Sequence, residues 1–132
     1  MAKHDVRIDA KVSGPTWDAI RKRVLAVHRG LIDVDASAAS ELTTIYVKYK
    51  VTDQPLGDVF GVMWVRFSKQ VVLGLATPQK INDERVIDAP SGMAYPRLKT
   101  YVRIDEKEAV PADLGAWIQS AFAHVKSLSE QA

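Results

Sequence analysis

Tyr46, Lys48 and Lys50, then Phe60, Trp64 and Arg66, then Tyr101 and Arg103 alternate with apolar neighbours at a spacing of two. In an extended chain that spacing puts each group on one side of its strand. Aromatic rings beside cations on a sheet can stack a planar ligand or unpaired bases, at about 1 to 3 kcal/mol per base, while Lys and Arg neutralise phosphate. The same residue types also describe ordinary cross-strand packing, in which Tyr, Trp and Arg lay their apolar stems along a wet sheet. A second group lies in residues 88–96, DAPSGMAYP, where Ser91, the backbone at Gly92 and Tyr95 could form the rim of a site over that face. Two prolines around a tyrosine also serve simply to pin a crossing loop. No Gly-Lys-Ser/Thr follows, so this is not a P-loop, and Ser91 has no nucleophile-elbow context.

The other reactive residue types offer less. His28 and His124 fall at the edges of apolar helical stripes, where packing is the ordinary role, and His4 lies near the start of the chain. None has a second histidine four residues away or a carboxylate at a metal-binding offset. Asp83 and Glu84, and then Asp105, Glu106, Glu108 and Asp113, could hold a hard cation weakly through oxygen, but they also fit a solvated turn and a helix N-terminus. With no cysteine, a disulfide scaffold, a thiolate zinc site and a cysteine nucleophile are excluded. No pairing of nucleophile and base is visible, so no catalytic residue, metal ligand or cofactor is assigned, and a binding protein is expected rather than an enzyme.

The elements that would position these residues centre on residues 58–77, DVFGVMWVRFSKQVVLGLAT, which read as two strands and a tight turn. Val59, Gly61, Met63, Val65 and Phe67 share one face, continued by Val71, Leu73 and Leu75 if residues 68–70 form the loop. That register sets Trp64 across from Gly74 and leaves Phe60, Val62, Trp64, Arg66, Val72, Gly74 and Ala76 on the other face. Upstream, Ile45, Val47, Tyr49 and Val51 alternate with wet residues as a half-buried strand, and Val102 and Ile104 do so near the C-terminus, with Tyr101 and Arg103 outward. Trp17, Ile20, Val24, Val27 and Leu31 draw a helical stripe over about 15–29, with Gly30 as terminator. Leu114, Trp117, Ile118, Ala121, Val125 and Leu128 draw a second, with Phe122 at its margin. Residues 1–12 read as a loose arm or an edge strand. Residues 31–34 could be extended and 35–41 a short capped helix, while 77–99 form a long irregular segment with room for a short strand at 85–87.

Together these predict a single α+β domain over residues 1–132: a two-layer sandwich with a mainly antiparallel sheet of four to five strands and the N- and C-terminal helices packed on one face. The chain of 132 residues is long enough to bury a core, and its formal charge of +2 does not by itself make a nucleic-acid binder. Residues 1–50 hold nine Lys/Arg against six Asp/Glu, and residues 105–132 hold two against five. No apolar run is long enough to cross a bilayer and no signal-peptide pattern opens the sequence, so a cytoplasmic location without a membrane partner is expected.

The segments VFGVMWVR at 59–66, LGLATP at 73–78 and DAPSGMAYP at 88–96 resemble a family of small bacterial proteins known only as a domain of unknown function. The likeness covers residues 17–125, and that family is distantly similar to YdhG-like, frataxin-like proteins, some described as iron chaperones. The resemblance implies a helix, sheet, helix layout and brings no catalytic residues. Frataxins carry an acidic ridge on the first helix and strand, where this chain has Arg21, Lys22, Arg23 and Arg29. The expected function is a small binding module whose open sheet face takes a planar or anionic ligand or a partner protein through Trp64, Arg66, Tyr46, Lys48, Tyr101, Arg103, Ser91 and Tyr95. Frataxin-like iron handling and single-stranded nucleic-acid binding are the alternatives. The same uncovered face would equally serve a homodimer, so monomer and homodimer both stand.

Overall fold

The computed structural model describes residues 17–18, 20–35, 37–43, 46–51, 59–66, 69–89, 97–105, 107 and 110–130. Along them run α1 (Arg21–Ile32), β1 (Ala38–Leu42), β2 (Tyr46–Val51), β3 (Val59–Arg66), β4 (Gln70–Leu75), β5 (Val86–Ile87), β6 (Thr100–Asp105) and α2 (Leu114–Glu130). The α+β class is as expected. The strands form one antiparallel sheet ordered β1-β2-β3-β4-β6-β5, and six strands among the described residues replace the expected four to five.

One of the added strands is β1, in the segment read as a short capped helix. Asp35 does cap, but it caps a turn: its Oδ1 accepts from the Ser37 amide at 2.9 Å and the Ser37 hydroxyl at 2.8 Å, and Ala38 N donates to Asp35 O. That Asx turn reverses the chain after α1 and feeds a strand instead of a helix. The short strand expected near 85–87 is β5.

The first helix begins at Arg21 and runs through Gly30 to Ile32, with Asp33 N closing its last turn on Arg29 O, so the expected span of 15–29 is shifted. Gly30 is not a terminator. A Cβ there would lie 3.5 Å from Ile118 Cδ1, an ordinary van der Waals contact, so α1 passes beside α2 at this point. In α2, Phe122 is buried with Leu114, Ile118, Ala121 and Val125, while Trp117 is half-buried and Leu128 exposed, which moves Phe122 from the margin of the stripe to its middle.

Of the expected inward residues, Val47, Tyr49, Val51, Val59, Met63, Val71, Leu73, Leu75, Val102 and Ile104 are buried, Val65 is half-buried, and Ile45 and Phe67 lie outside the described residues. Helix residues meet this face. Leu31 Cδ2 sits 3.2 Å from where a Gly61 Cβ would be, and His28 Nδ1 is hydrogen-bonded to Tyr49 Oη at 2.8 Å. Burial pushes the Tyr49 hydroxyl up, well beyond the ordinary phenol range, so it keeps its proton.

A bulge corrects the reading of β3. Tyr49 pairs with Gly61 and Lys50 with Val59, leaving Phe60 as the extra residue. Instead of joining the outward set, the Phe60 ring makes an edge-on contact with Phe122 of α2 at 5.3 Å between centroids. The β3–β4 hairpin also differs in register: Arg66 pairs with Gln70, so residues 67–69 connect the strands, and Trp64 lies opposite Val72 while Val62 lies opposite Gly74.

Residues 77–85, after β4, are pinned by polar groups of their own and of Lys99 and Thr100. Thr77 Oγ1 donates to Gln79 O at 2.7 Å and lies 2.7 Å from Thr100 Oγ1, which accepts from Ile81 N. Asp83 holds Arg85 through two contacts of 3.0 and 3.1 Å, and Lys99 Nζ donates to Pro78 O. No helix among the described residues is long and apolar enough to cross a membrane.

Candidate functional site

Strand alternation and register together place the candidate residues in two adjacent rows on the face opposite to Tyr49 and Gly61. Tyr46 pairs with Trp64, Trp64 with Val72, and Val72 with Arg103, which makes one row across four strands. The neighbouring row runs Glu41, Lys48, Val62, Gly74, Tyr101 and Ile87. Its glycine sits where space is tightest: a Cβ on Gly74 would be 2.7 Å from Leu98 Cδ1 and 3.0 Å from Tyr101 Cε2. The missing side chain therefore lets the Tyr101 ring lean along the sheet towards Trp64, which it stacks at 6.2 Å and 28°. Tyr46 meets the other side of the indole at 5.6 Å and 50°.

The structure thus brings the rings of Tyr46, Trp64 and Tyr101 together across two adjacent rows, and it corrects their expected openness. Trp64 and Tyr101 are each only 4% exposed, and Val62 and Val72 beside them are fully buried. The indole is held between two rings of its own chain and is not an open platform, because cross-strand aromatic pairs gain more by covering one another than by facing water. Tyr46 is half-buried, and Arg103 is exposed at the far end of the Trp64 row.

Lys48 is already engaged. Its Nζ lies 2.9 Å from Glu41 Oε1, and Lys50 Nζ approaches Glu41 Oε2 at 3.5 Å. The hydrogen bond from Lys48, then the field of Lys50, hold the Glu41 carboxyl below its usual range. Glu41 was missed in the sequence because its segment was read as helical; once β1 is recognised, pairing with Lys48 follows from register. The Arg66 side chain, Ser91 and Tyr95 lie outside the described residues, as do His4 and residues 1–12.

Other reactive groups are dispersed. Asp83 is drawn below the ordinary carboxylate range by Arg85, whose guanidinium also lies 5.9 Å from the Trp117 ring, and Lys80 does the same to Asp88. Among the described residues no three His, Asp or Glu side chains gather as a metal ion would need.

Comparison with family models, curated proteins and solved structures finds no match. Geometry alone carries the reading of this face.

Proposed function

We propose that this chain is a binding module, not an enzyme, and that it takes a planar or anionic ligand on the sheet face bearing Tyr46, Trp64, Tyr101 and Arg103. The reading includes the two-layer packing of both helices against the opposite flank and the distant frataxin-like layout. One observation supports it most: register aligns two aromatics in tilted contact and an exposed guanidinium in a single row across four strands. Because both sides of the indole are occupied by neighbouring rings, the ligand would meet the ends of the row, with the half-open Tyr46 ring and Arg103 as contacts and Trp64 as the floor beneath them. The metal-handling alternative finds no supporting cluster among the described residues. Single-stranded nucleic acid would need ring faces that Tyr46 and Tyr101 already fill.

A thermal-shift screen with nucleotides, inorganic anions and short single-stranded oligonucleotides tests the reading, followed by nuclear magnetic resonance of the Trp64 indole N–H, assigned with Trp64→Phe. A true ligand raises the melting midpoint, moves the Trp64 resonance, and loses most of both effects in Arg103→Ala. If nothing in the screen raises the midpoint, or if Arg103→Ala responds like the parent, the sheet face is packing only.

A further inference from the structure

The apolar stripe that seats α1 on the sheet contains a histidine. Val24, Val27, His28 and Leu31 are the buried residues of the helix, and His28 Nδ1 lies 2.8 Å from the hydroxyl of Tyr49 on β2. A hydroxyl and a ring nitrogen can share one proton in two ways, so this distance does not by itself fix the tautomer. The surroundings of Tyr49 do. Its side chain is fully buried, and among the described residues no group other than His28 is hydrogen-bonded to its hydroxyl. A buried O–H proton without an acceptor is costly, so Tyr49 donates and Nδ1 accepts. His28 is then the neutral tautomer with its proton on Nε2.

A further proton has to go on Nδ1. That nitrogen then becomes a donor, the Tyr49 hydroxyl must turn round to accept, and its own proton is left unpaired in the core. The new charge would also stand opposite uncharged groups. On that side of the sheet β1 presents Ala38, Ser40 and Leu42, β2 presents Val47 and Val51, and β3 presents Gly61 and Met63. In α2, Ile118, Phe122 and Val125 are buried, and the ionisable His124 and Lys126 are half-buried. On α1 itself Arg23 is half-buried and Arg29 exposed, while the described carboxylates at its two ends, Asp18, Asp33 and Asp35, are exposed and screened by water. The helix has little else to hold it: its first turn has no acidic residue and no side-chain cap, so it depends on this stripe.

We infer that His28 and Tyr49 form an acid-sensitive latch between α1 and the sheet, closed while the imidazole accepts from the phenol and released when a proton takes Nδ1. The sign of the effect follows. The unfolded chain takes this proton near the ordinary histidine value of about 6.5, and the folded chain takes it only at lower pH. Stability is therefore fully present above about pH 6.5 and falls below it, where the unfolded state binds the extra proton.

Urea denaturation of the full chain at about pH 7.5 and about pH 5.5 reads the latch. A proton bound only by the unfolded chain lowers the folding constant about tenfold over that interval, so the parent should lose about tenfold more than His28→Gln, whose amide oxygen can still accept from Tyr49. His4 and His124 remain in both proteins, so their share cancels. Nitrogen NMR of the labelled histidine rings gives a second reading that does not require His28→Gln to fold. In the parent at neutral pH the His28 Nδ1 should carry no proton, and its titration should lie below about 6.5. Tyr49→Phe removes the donor that favours the neutral ring and should move that titration up. The inference is overturned by a proton on Nδ1 at neutral pH, by a His28 titration at or above about 6.5, by a downward move in Tyr49→Phe, or by equal losses in the parent and His28→Gln.

Discussion

On the side of the sheet that meets His28, Leu31 and Phe122, the central side chains are mostly aliphatic, Val47, Met63, Val71, Leu73, Val102 and Ile104, with the rings of Tyr49 and Phe60 beside them. On the other side the central positions are Val62, Trp64, Val72 and Tyr101, and they are buried to nearly the same degree. The first side is buried in the usual way for an α+β sheet, with apolar residues at alternate positions meeting amphipathic helices. The second carries large rings in contact across two adjacent rows, with the Tyr101 ring and Leu98 lying over a glycine. A residue that points away from the helices is not thereby exposed. Strand parity gives direction, and only packing gives burial.

Removing a ring is the harshest test of that comparison. If the Tyr46, Trp64 and Tyr101 cluster is a second core, Trp64→Ala should cost about 3 to 5 kcal/mol, comparable to Leu73→Ala on the helix side at about 2 to 5 kcal/mol. Urea denaturation of the two variants measures both costs. A loss of less than about 0.5 kcal/mol for Trp64→Ala would be the behaviour of a surface residue and would separate the two faces in kind.

A smaller and sharper contrast uses one substitution at two glycines. In Gly74→Ala the new methyl meets Leu98 Cδ1 at 2.7 Å and the Tyr101 ring at 3.0 Å, whereas in Gly61→Ala it meets Leu31 Cδ2 at 3.2 Å and Leu75 Cδ2 at 3.4 Å. A terminal leucine methyl can yield by a few tenths of an ångström. The Tyr101 ring is wedged against Trp64 and cannot yield as readily. Gly74→Ala should therefore destabilise by about 1 to 3 kcal/mol and Gly61→Ala by less. Melting midpoints decide the order, and the reverse order would show that the rings are loosely held.

Much of this contrast was legible in the sequence, and the unread part has identifiable causes. Alternation alone located β2, β3, β4 and β6 and the inward set from Val47 to Ile104, because period two survives shifts of register that preserve parity. The setting of Trp64 against Gly74 failed for the same reason: Arg66 pairs with Gln70, so each β3 residue meets a partner two positions earlier in β4 while every face stays as expected. Phe60 escaped because a bulge breaks parity at one residue and leaves no composition signal. The strand β1 escaped because Asp35 and Ser37 are as good for an Asx turn as for a helix start, and only the chain beyond them decides which forms. As for the candidate site, the residues were found but their exposure was not, since nothing in one strand's pattern tells how the ring on a strand two places away will lean.

The smallest expected effect lies at the polar margin of the ring-bearing face, where Glu41 joins Lys48 and Lys50. Here neither aliphatic nor aromatic burial operates, and the pairing works through water: the Glu41 side chain is 43% exposed, so screening limits its contribution to about 0.2 to 1 kcal/mol. The sign of the pH dependence follows from the lowered carboxyl. A glutamate whose folded-state value lies below its unfolded one stabilises the fold fully above the unfolded value of about 4.3, and that share is lost as pH falls through the lower folded value. Glu41→Gln removes the titrating group, so between about pH 7 and about pH 3 the parent should lose slightly more stability than the variant, a gap that narrows as salt is added. Equal losses in the two proteins would mean that Lys48 and Lys50 are held by the sheet alone. The edge would then differ from the centre of this face in having no cross-strand pair that contributes to stability.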